Sequence, residues 1–201
     1  MTTDVQICNV ALSAYCGERA ITSLEEDRPS AEACRLHLDD VQRALFARNW
    51  WNFAKTRQAL AQETNDRDEE WDYKYAIPAD ALAIHWVNDS GVARLMLSAG
   101  QSPDAPRETT GQSSYTDVEA AVCEFTAFVS DPARYPQYFA DCLAAMLAGR
   151  IVSTITQDAT RINAAREAAQ MQLELAIALD SRNDPPIHPP VPDWMSSRGV
   201  T

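Results

Sequence analysis

The chain has 201 residues, 46% of them hydrophobic and 23% charged, which is typical of a globular protein with one well-buried core or one core plus a small appended domain. Its formal net charge of −12 and the lack of a basic stripe argue against tight nucleic-acid binding by the isolated subunit. No run of eighteen apolar residues and no basic, apolar leader occur in the sequence, so we expect neither a membrane span nor a signal peptide.

Two helices are predicted within the first fifty residues. Residues 4–15 repeat apolar side chains at three- and four-residue spacing, which is typical of one buried helical face. Gly17 follows as a helix stop, because glycine readily adopts the left-handed conformation that ends helices. Residues 30–48 form the second helix, whose start is marked by Pro29 and Ser30.

The pattern changes to that of a small antiparallel sheet between Asn52 and about Phe128. Residues 82–87 and 92–97 are predicted as strands joined by a turn at 88–91, and residues 98–114 as a loop rich in Gly, Ser, Pro and Thr. Further strands are predicted at residues 53–61 and 118–129, the second of which alternates most clearly.

Two more helices are predicted after the sheet, the first beginning at Pro136 and the second covering residues 159–179. Small residues in the last helix favour close approach of another helix. Its inward-facing residues are predicted to be Ala164, Ala168, Met171, Leu175 and Leu179.

The sequence therefore predicts an α+β fold, in which two terminal helix pairs form a four-helix body and a small antiparallel β-sheet lobe is inserted between them. The helical body comprises residues 1–51 and 130–184, and the β-rich lobe comprises 52–129. Residues 185–201 form a proline-rich C-terminal arm that is stiff and extended.

The cysteines are five in number, far apart, and without a Cys-x-x-Cys pair. We interpret them as small buried apolar residues of a protein in a reducing compartment. The spacing of Cys and His fits no standard zinc pattern, so no metal ligand is assigned.

Catalytic chemistry has little support in the sequence. Adjacent acids such as Glu25-Glu26-Asp27 and Asp39-Asp40 are typical of solvated surface, although a hydrolase of envelope polysaccharide that uses an acid pair remains the alternative function. His37 and Asp40 share a helix face as a surface pair. There is no Gly-x-Ser-x-Gly motif and no phosphate-binding glycine loop, so neither catalytic residues nor a cofactor are predicted.

Large aromatic residues are concentrated between Trp50 and Trp86 in an acidic context, which does not suit base stacking. We expect Trp51, Phe53 and Trp86 to form core at the hinge between helices and sheet. Trp71 lies beside acids and is harder to bury, so it and Tyr73 are predicted at a subunit contact.

Several segments, taken together and in order, resemble the tail tubular protein A family, the head-to-tail adaptors of short-tailed bacteriophages and related prophages. The resemblance covers most of residues 4–186. The segments that carry it are Leu12…Gly17…Ile21-Thr22-Ser23-Leu24, Trp51-Asn52-Phe53-Ala54-Lys55-Thr56-Arg57-Gln58-Ala59-Leu60, Tyr73-Lys74-Tyr75-Ala76-Ile77-Pro78, Phe139-Ala140-Asp141-Cys142-Leu143 and Ala178-Leu179-Asp180.

The resemblance implies a structural virion protein and not an enzyme. Its subunits would form a homo-oligomeric ring, usually twelve-fold, between the portal protein and the tail nozzle or tube, and would be assembled in the host cytoplasm. Genomic DNA would pass through the ring without specific binding. A generic helical scaffold module is the third alternative.

Ring formation gives roles to several charged residues. Residues 61–91 hold eight acids and two bases, half of the net charge, and acids lining the bore would keep DNA from sticking. We expect Asp66, Asp68, Glu69 and Glu70 there.

Trp194 in the proline-rich segment belongs either to a disordered terminus or to an arm that docks on a neighbouring ring. Arginines expected to pair with acids across subunit interfaces are Arg35, Arg43, Arg48, Arg57, Arg161 and Arg166.

Overall fold

The computed structural model describes residues 2–98 and 102–183, so the predicted proline-rich arm and Trp194 lie outside the described residues. Helices and strands coexist in the chain, which confirms the predicted α+β class. The helices are α1 (Asp4–Val10), α2 (Pro29–Phe46), α3 (Ser90–Ser98), α4 (Gln137–Ile155) and α5 (Ala159–Ser181). The strands are β1 (Lys55–Ala59), β2 (Ala61–Glu63), β3 (Tyr73–Ala76), β4 (Ala81–Asn88), β5 (Arg107–Thr110), β6 (Ser113–Thr116) and β7 (Val122–Ala127).

The described residues divide into two compact units. The helical unit consists of the chain up to Lys55 and from Thr126 onwards, and the β-rich unit is Thr56–Phe125. The domain boundaries predicted from the sequence stay a prediction, because a compact unit is not thereby shown to fold independently.

The first predicted helix is interrupted by a change of helical type. Thr3 and Gln6 form a reciprocal capping box at the start of α1, which satisfies backbone groups that a helix end leaves free. After Val10 the chain continues as a π-helical segment, Ala11–Cys16, and stops at Gly17 with φ of 70°. The stop predicted at this glycine is confirmed.

Helix α4 is the central element of the helical unit. It packs against α1, α2 and α5, and residues such as Phe139, Leu143 and Ile151 are fully buried. By length and composition α4 is apolar enough to cross a membrane, and its burial within the unit accounts for that composition without one. Phe139 also packs against the rings of Phe46 and the buried Trp51, at centroid distances of 4.8 Å and 5.0 Å.

The predicted inward face of α5 is wrong. Met171 and Leu175 are 66% and 51% exposed, while Ala165 and Ala176 are buried instead. The reason is the close approach of α4: a Cβ on Gly149 would lie 3.4 Å from the Ala169 Cβ. Only small side chains fit so close a contact, so the larger ones remain outside.

The β-rich unit contains two sheets where one was predicted. The first has strand order β1-β7-β4, and the second has order β2-β3-β6-β5 with antiparallel pairing throughout. Tyr75 and Tyr115 are buried in the second sheet. Trp86 in β4 and Trp51 in the helical unit are also buried, which confirms the prediction for these two residues. Phe53, in contrast, is only half-buried.

Two local predictions in this unit are wrong. Residues 92–97 lie in helix α3 and not in a strand, because the Asp89 carboxylate accepts the N–H groups of Gly91 and Val92 and so begins a helix. The predicted loop at 98–114 contains the β5–β6 hairpin, in which Thr110 pairs with Ser113. Gly111 has φ of 62° at the first turn position, where a tight hairpin needs a glycine.

Candidate interaction surfaces

The predicted channel acids lie in the acidic loop, residues 64–72, which joins β2 to β3. The Asp66 carboxylate accepts hydrogen bonds from Lys74 Nζ at 2.9 Å and from the Tyr115 hydroxyl at 3.0 Å. These hydrogen bonds, with that of Lys74 the stronger, lower the pKa of Asp66. Asp66 is therefore bound within its own chain.

A second cluster in the acidic loop centres on Arg67. Its guanidinium forms ion pairs with Glu70 and with Glu108 on β5, the latter at 2.7 Å. Asp68 and Glu69 are exposed, and neither forms an ion pair with another residue in the described part of the chain. The structure thus separates the four predicted acids into two groups. Asp66 and Glu70 pair within the chain and hold the loop, whereas Asp68 and Glu69 are available for contact with another molecule.

The two aromatic residues predicted at a subunit contact, Trp71 in the acidic loop and Tyr73 at the start of β3, are both half-buried. The Trp71 carbonyl accepts a hydrogen bond from the Asn65 side chain, and the Tyr73 ring lies 6.2 Å from that of Tyr75. The charge of Glu119, together with burial and Asp72, raises the pKa of Tyr73. Negative charge therefore lies near the Tyr73 ring.

Three of the predicted interface arginines already have acidic partners in their own chain. Arg35 pairs with Glu25 at 3.3 Å and Arg43 with Asp39 at 2.9 Å. Arg57 pairs with Glu124 at 2.9 Å. Such exposed pairs contribute about 0–1 kcal/mol each, so they could exchange partners, but they are not uncompensated charges.

The remaining predicted arginines differ from each other. Arg161 donates to the carbonyl oxygen of Cys16 at 2.8 Å, just before the Gly17 stop, which gives it a role inside the helical unit. Arg166 instead borders a cleft of about 280 Å³ among α2, α4 and α5, together with Arg48 and Arg150. Arg150 was not predicted, although its position next to Gly149 places it at the edge of the close α4–α5 contact.

The cleft carries a net positive charge in an acidic protein. Asp40 is the one acid among its lining residues, against three arginines. Within residues 2–98 and 102–183, none of the three arginines forms an ion pair. Apolar or small residues make up the rest of the lining: Val41, Ala44, Met146, Gly149 and Ala169.

Helix α5 presents a second surface, the outer stripe, on another side from its buried alanines. It is defined by Ala164, Ala168, Met171, Leu175 and Ala178, which recur at spacings of four and three residues. All of them are exposed except Ala168, which is half-buried. The 3–4 spacing is that of a helix seam that packs against another helix.

The described side chains give little basis for metal or thiol chemistry. No group of three or more His, Cys, Asp or Glu residues in the described ranges is arranged to hold a metal ion. All five cysteines are free and buried, as predicted. Burial raises the pKa of Cys16 to about 11 and those of Cys123 and Cys142 to about 12, so they stay protonated.

Comparison with known proteins leaves the family open. No protein-family model and no curated protein matches this chain. The resemblance to phage adaptors therefore rests on the residues quoted above, and the function must be argued from the surfaces just described.

Proposed function

We propose that the protein is a structural subunit of a homo-oligomeric ring, the head-to-tail adaptor of a short-tailed phage or prophage. The observation that carries this proposal is the outer stripe of α5, where Met171 and Leu175 stay exposed beside an otherwise well-filled helical core. Exposed apolar side chains at helix-seam spacing favour a protein that completes its packing by assembly.

The energetics favour association through this stripe. Burying an exposed Met or Leu side chain contributes about 1.5–3 kcal/mol, and a ring repeats the gain at every subunit boundary. The helical core does not need either side chain, because α5 packs on α4 through Ala165 and Ala176. Both residues are therefore available to a neighbouring subunit.

The proposed architecture is the four-helix body with an inserted β lobe that the resemblance implies. The packing of α4 against α1, α2 and α5 supports such a body. In this proposal the ring is twelve-fold, binds the portal protein on one side and the tail nozzle or tube on the other, and belongs to the virion. The net charge of −12 on each subunit would keep DNA that passes through the bore from sticking.

The test is to measure the mass and shape of the protein, alone and mixed with its portal, by light scattering and negative-stain microscopy. We expect a ring, or a monomer that becomes one on the portal. The double variant M171S/L175S should keep its fold and lose association, whereas L36S, which removes a still more exposed leucine from α2, should assemble like wild type. A wild-type monomer that ignores the portal would refute the proposal.

A further inference from the structure

The cleft formed by Arg48, Arg150 and Arg166, hereafter the arginine cleft, has the chemistry of a binding site for carboxylates. Guanidinium groups recognise carboxylates through paired hydrogen bonds, and three of them here lack an acidic partner among the described residues. Asp40 offsets part of their charge and leaves the cleft positive.

The size and lining of the arginine cleft limit what it can hold. Its volume of about 280 Å³ accommodates a few side chains and not a whole helix. Val41, Ala44 and Met146 supply apolar surface beside the arginines. This combination fits a short segment that presents carboxylates next to an apolar or aromatic side chain. Duplex nucleic acid is disfavoured, because the surrounding protein carries a net charge of −12.

We propose that the arginine cleft of one subunit binds the acidic loop of a second copy of this chain, with Asp68 and Glu69 pairing with Arg150 and Arg166. The contact rests on the proposed ring, because it joins two different surfaces of neighbouring subunits. A contact between two different surfaces, repeated from subunit to subunit, closes into a ring when the rotation between subunits allows it.

The acidic loop has the complementary chemistry. Asp68 and Glu69 are exposed and have no cationic partner among the described residues, while half-buried Trp71 supplies the neighbouring aromatic surface. The loop is also held near both of its ends, because Asp66 accepts from Lys74 and the Asp72 backbone N–H donates to Asp117. A loop already held in this way loses less conformational entropy when it binds.

Long-range charge makes this local complementarity necessary. Two copies that each carry −12 repel one another, so association requires contacts in which opposite charges meet. The three predicted interface arginines Arg35, Arg43 and Arg57 are already compensated inside the chain. The arginine cleft is where uncompensated positive charge is concentrated, and the acidic loop carries uncompensated negative charge.

Charge exchange tests the contact in the full-length protein. We expect R150E/R166E and D68R/E69R each to weaken subunit association about tenfold or more, by sedimentation velocity and by ring formation on the portal. Mixing the two variants should restore association, because the R150E/R166E cleft then meets the D68R/E69R loop. The control R19E/R134E, which makes the net charge more negative by the same amount as R150E/R166E but at exposed arginines outside the cleft, should associate like wild type.

The outcomes separate this contact from the proposed function. If wild type forms rings and both charge-reversed variants form them equally well, the contact is wrong and the adaptor proposal stands. If each variant is defective but the mixture is no better than either alone, the arginines bind another anion and the contact is again overturned. If wild type does not assemble even on the portal, both proposals fail. Circular dichroism confirms that each variant is folded.

Discussion

Asp180, near the end of α5, is hydrogen-bonded to Asn52, 128 positions earlier in the chain. Its carboxylate accepts the Asn52 backbone N–H at 3.0 Å, and its carbonyl oxygen accepts the Asn52 side-chain amide at 2.9 Å. The Tyr138 hydroxyl donates to the same carboxylate at 2.7 Å. Asp180 is only 1% exposed, so these donors replace the water that a carboxylate otherwise requires.

Replacing Asp180 by asparagine should destabilise the helical unit. D180N removes the charge and leaves one acceptor oxygen in place of two for the Asn52 backbone N–H and the Tyr138 hydroxyl, which costs about 1–3 kcal/mol. Urea unfolding followed by circular dichroism measures this difference. E174Q, at an exposed carboxylate of the same helix, should stay within about 0.5 kcal/mol of wild type. Equal stability of the two variants would mean that the buried network contributes little.

Gly17→Ala should destabilise the protein more than Gly111→Ala. Both glycines have positive φ, where an L-residue costs about 1–2 kcal/mol. At Gly17 an added Cβ would also collide with the Arg161 guanidinium, which donates to the Cys16 carbonyl, whereas at Gly111 nothing lies within 4 Å. Thermal unfolding of the two variants checks this order. Equal losses at the two glycines would show that Arg161 moves aside freely, and a larger loss at Gly111 would contradict the predicted order.

Glu26 should contribute to stability in a pH-dependent way. The Thr22 hydroxyl and the backbone N–H groups of Thr22 and Ser23 donate to its carboxylate and lower its pKa to about 2. Because the pKa of Glu26 is lower in the folded than in the unfolded protein, its carboxylate contributes its full stabilisation above pH 4.5, the ordinary pKa. This contribution is lost as the pH falls from there towards about 2.

The variant E26Q should therefore show a flatter decline of stability over that acidic range. Urea midpoints measured at a series of pH values give the comparison, with E32Q as a control at an exposed acid in the first turn of α2. An E26Q profile that runs parallel to wild type would contradict the role of Glu26.

The cysteines should be inert in the folded protein. Burial raises the pKa of Cys16, Cys123 and Cys142, so little of their thiolate is available for reaction. The hydrogen bond between Cys8 and Cys34 raises the pKa of Cys8 and lowers that of Cys34, but the Cys34 side chain is fully buried and closed to a reagent. We expect Ellman's reagent at mildly alkaline pH to react slowly with native protein and rapidly with all five thiols in denaturant. Rapid native reaction of any thiol would show that its helix opens locally.

Much of the helical unit could be predicted from local sequence. The stop at Gly17 follows from the conformational freedom of one residue, and the helix after Pro136 follows from a continuous apolar pattern. The burial of Trp51 follows from its size and apolar surface. These features depend on the nearest few residues, so periodicity and composition suffice to predict them.

Local sequence was misleading where two signals competed. Residues 92–97 are apolar enough for a strand, but the Asp89 cap starts a helix there. On α5 two sets of residues satisfy helical spacing, and periodicity alone cannot choose between them. The close approach of Gly149 on α4 decides in favour of the small set around Ala165. That choice leaves Met171 and Leu175 on the surface.

For the candidate surfaces too, some features follow from the sequence and others from the packing of the helices. The amino-acid sequence is enough to establish the sign of the protein's charge, its concentration in residues 61–91 and which arginines are available to balance it. Tertiary packing, in contrast, places Arg57 against Glu124 in its own chain and brings Arg48, Arg150 and Arg166 into one cleft. Ion pairing depends on separations of a few ångströms between residues from different elements. The packing of α2, α4 and α5 sets such separations in the cleft, and no local sequence pattern encodes them.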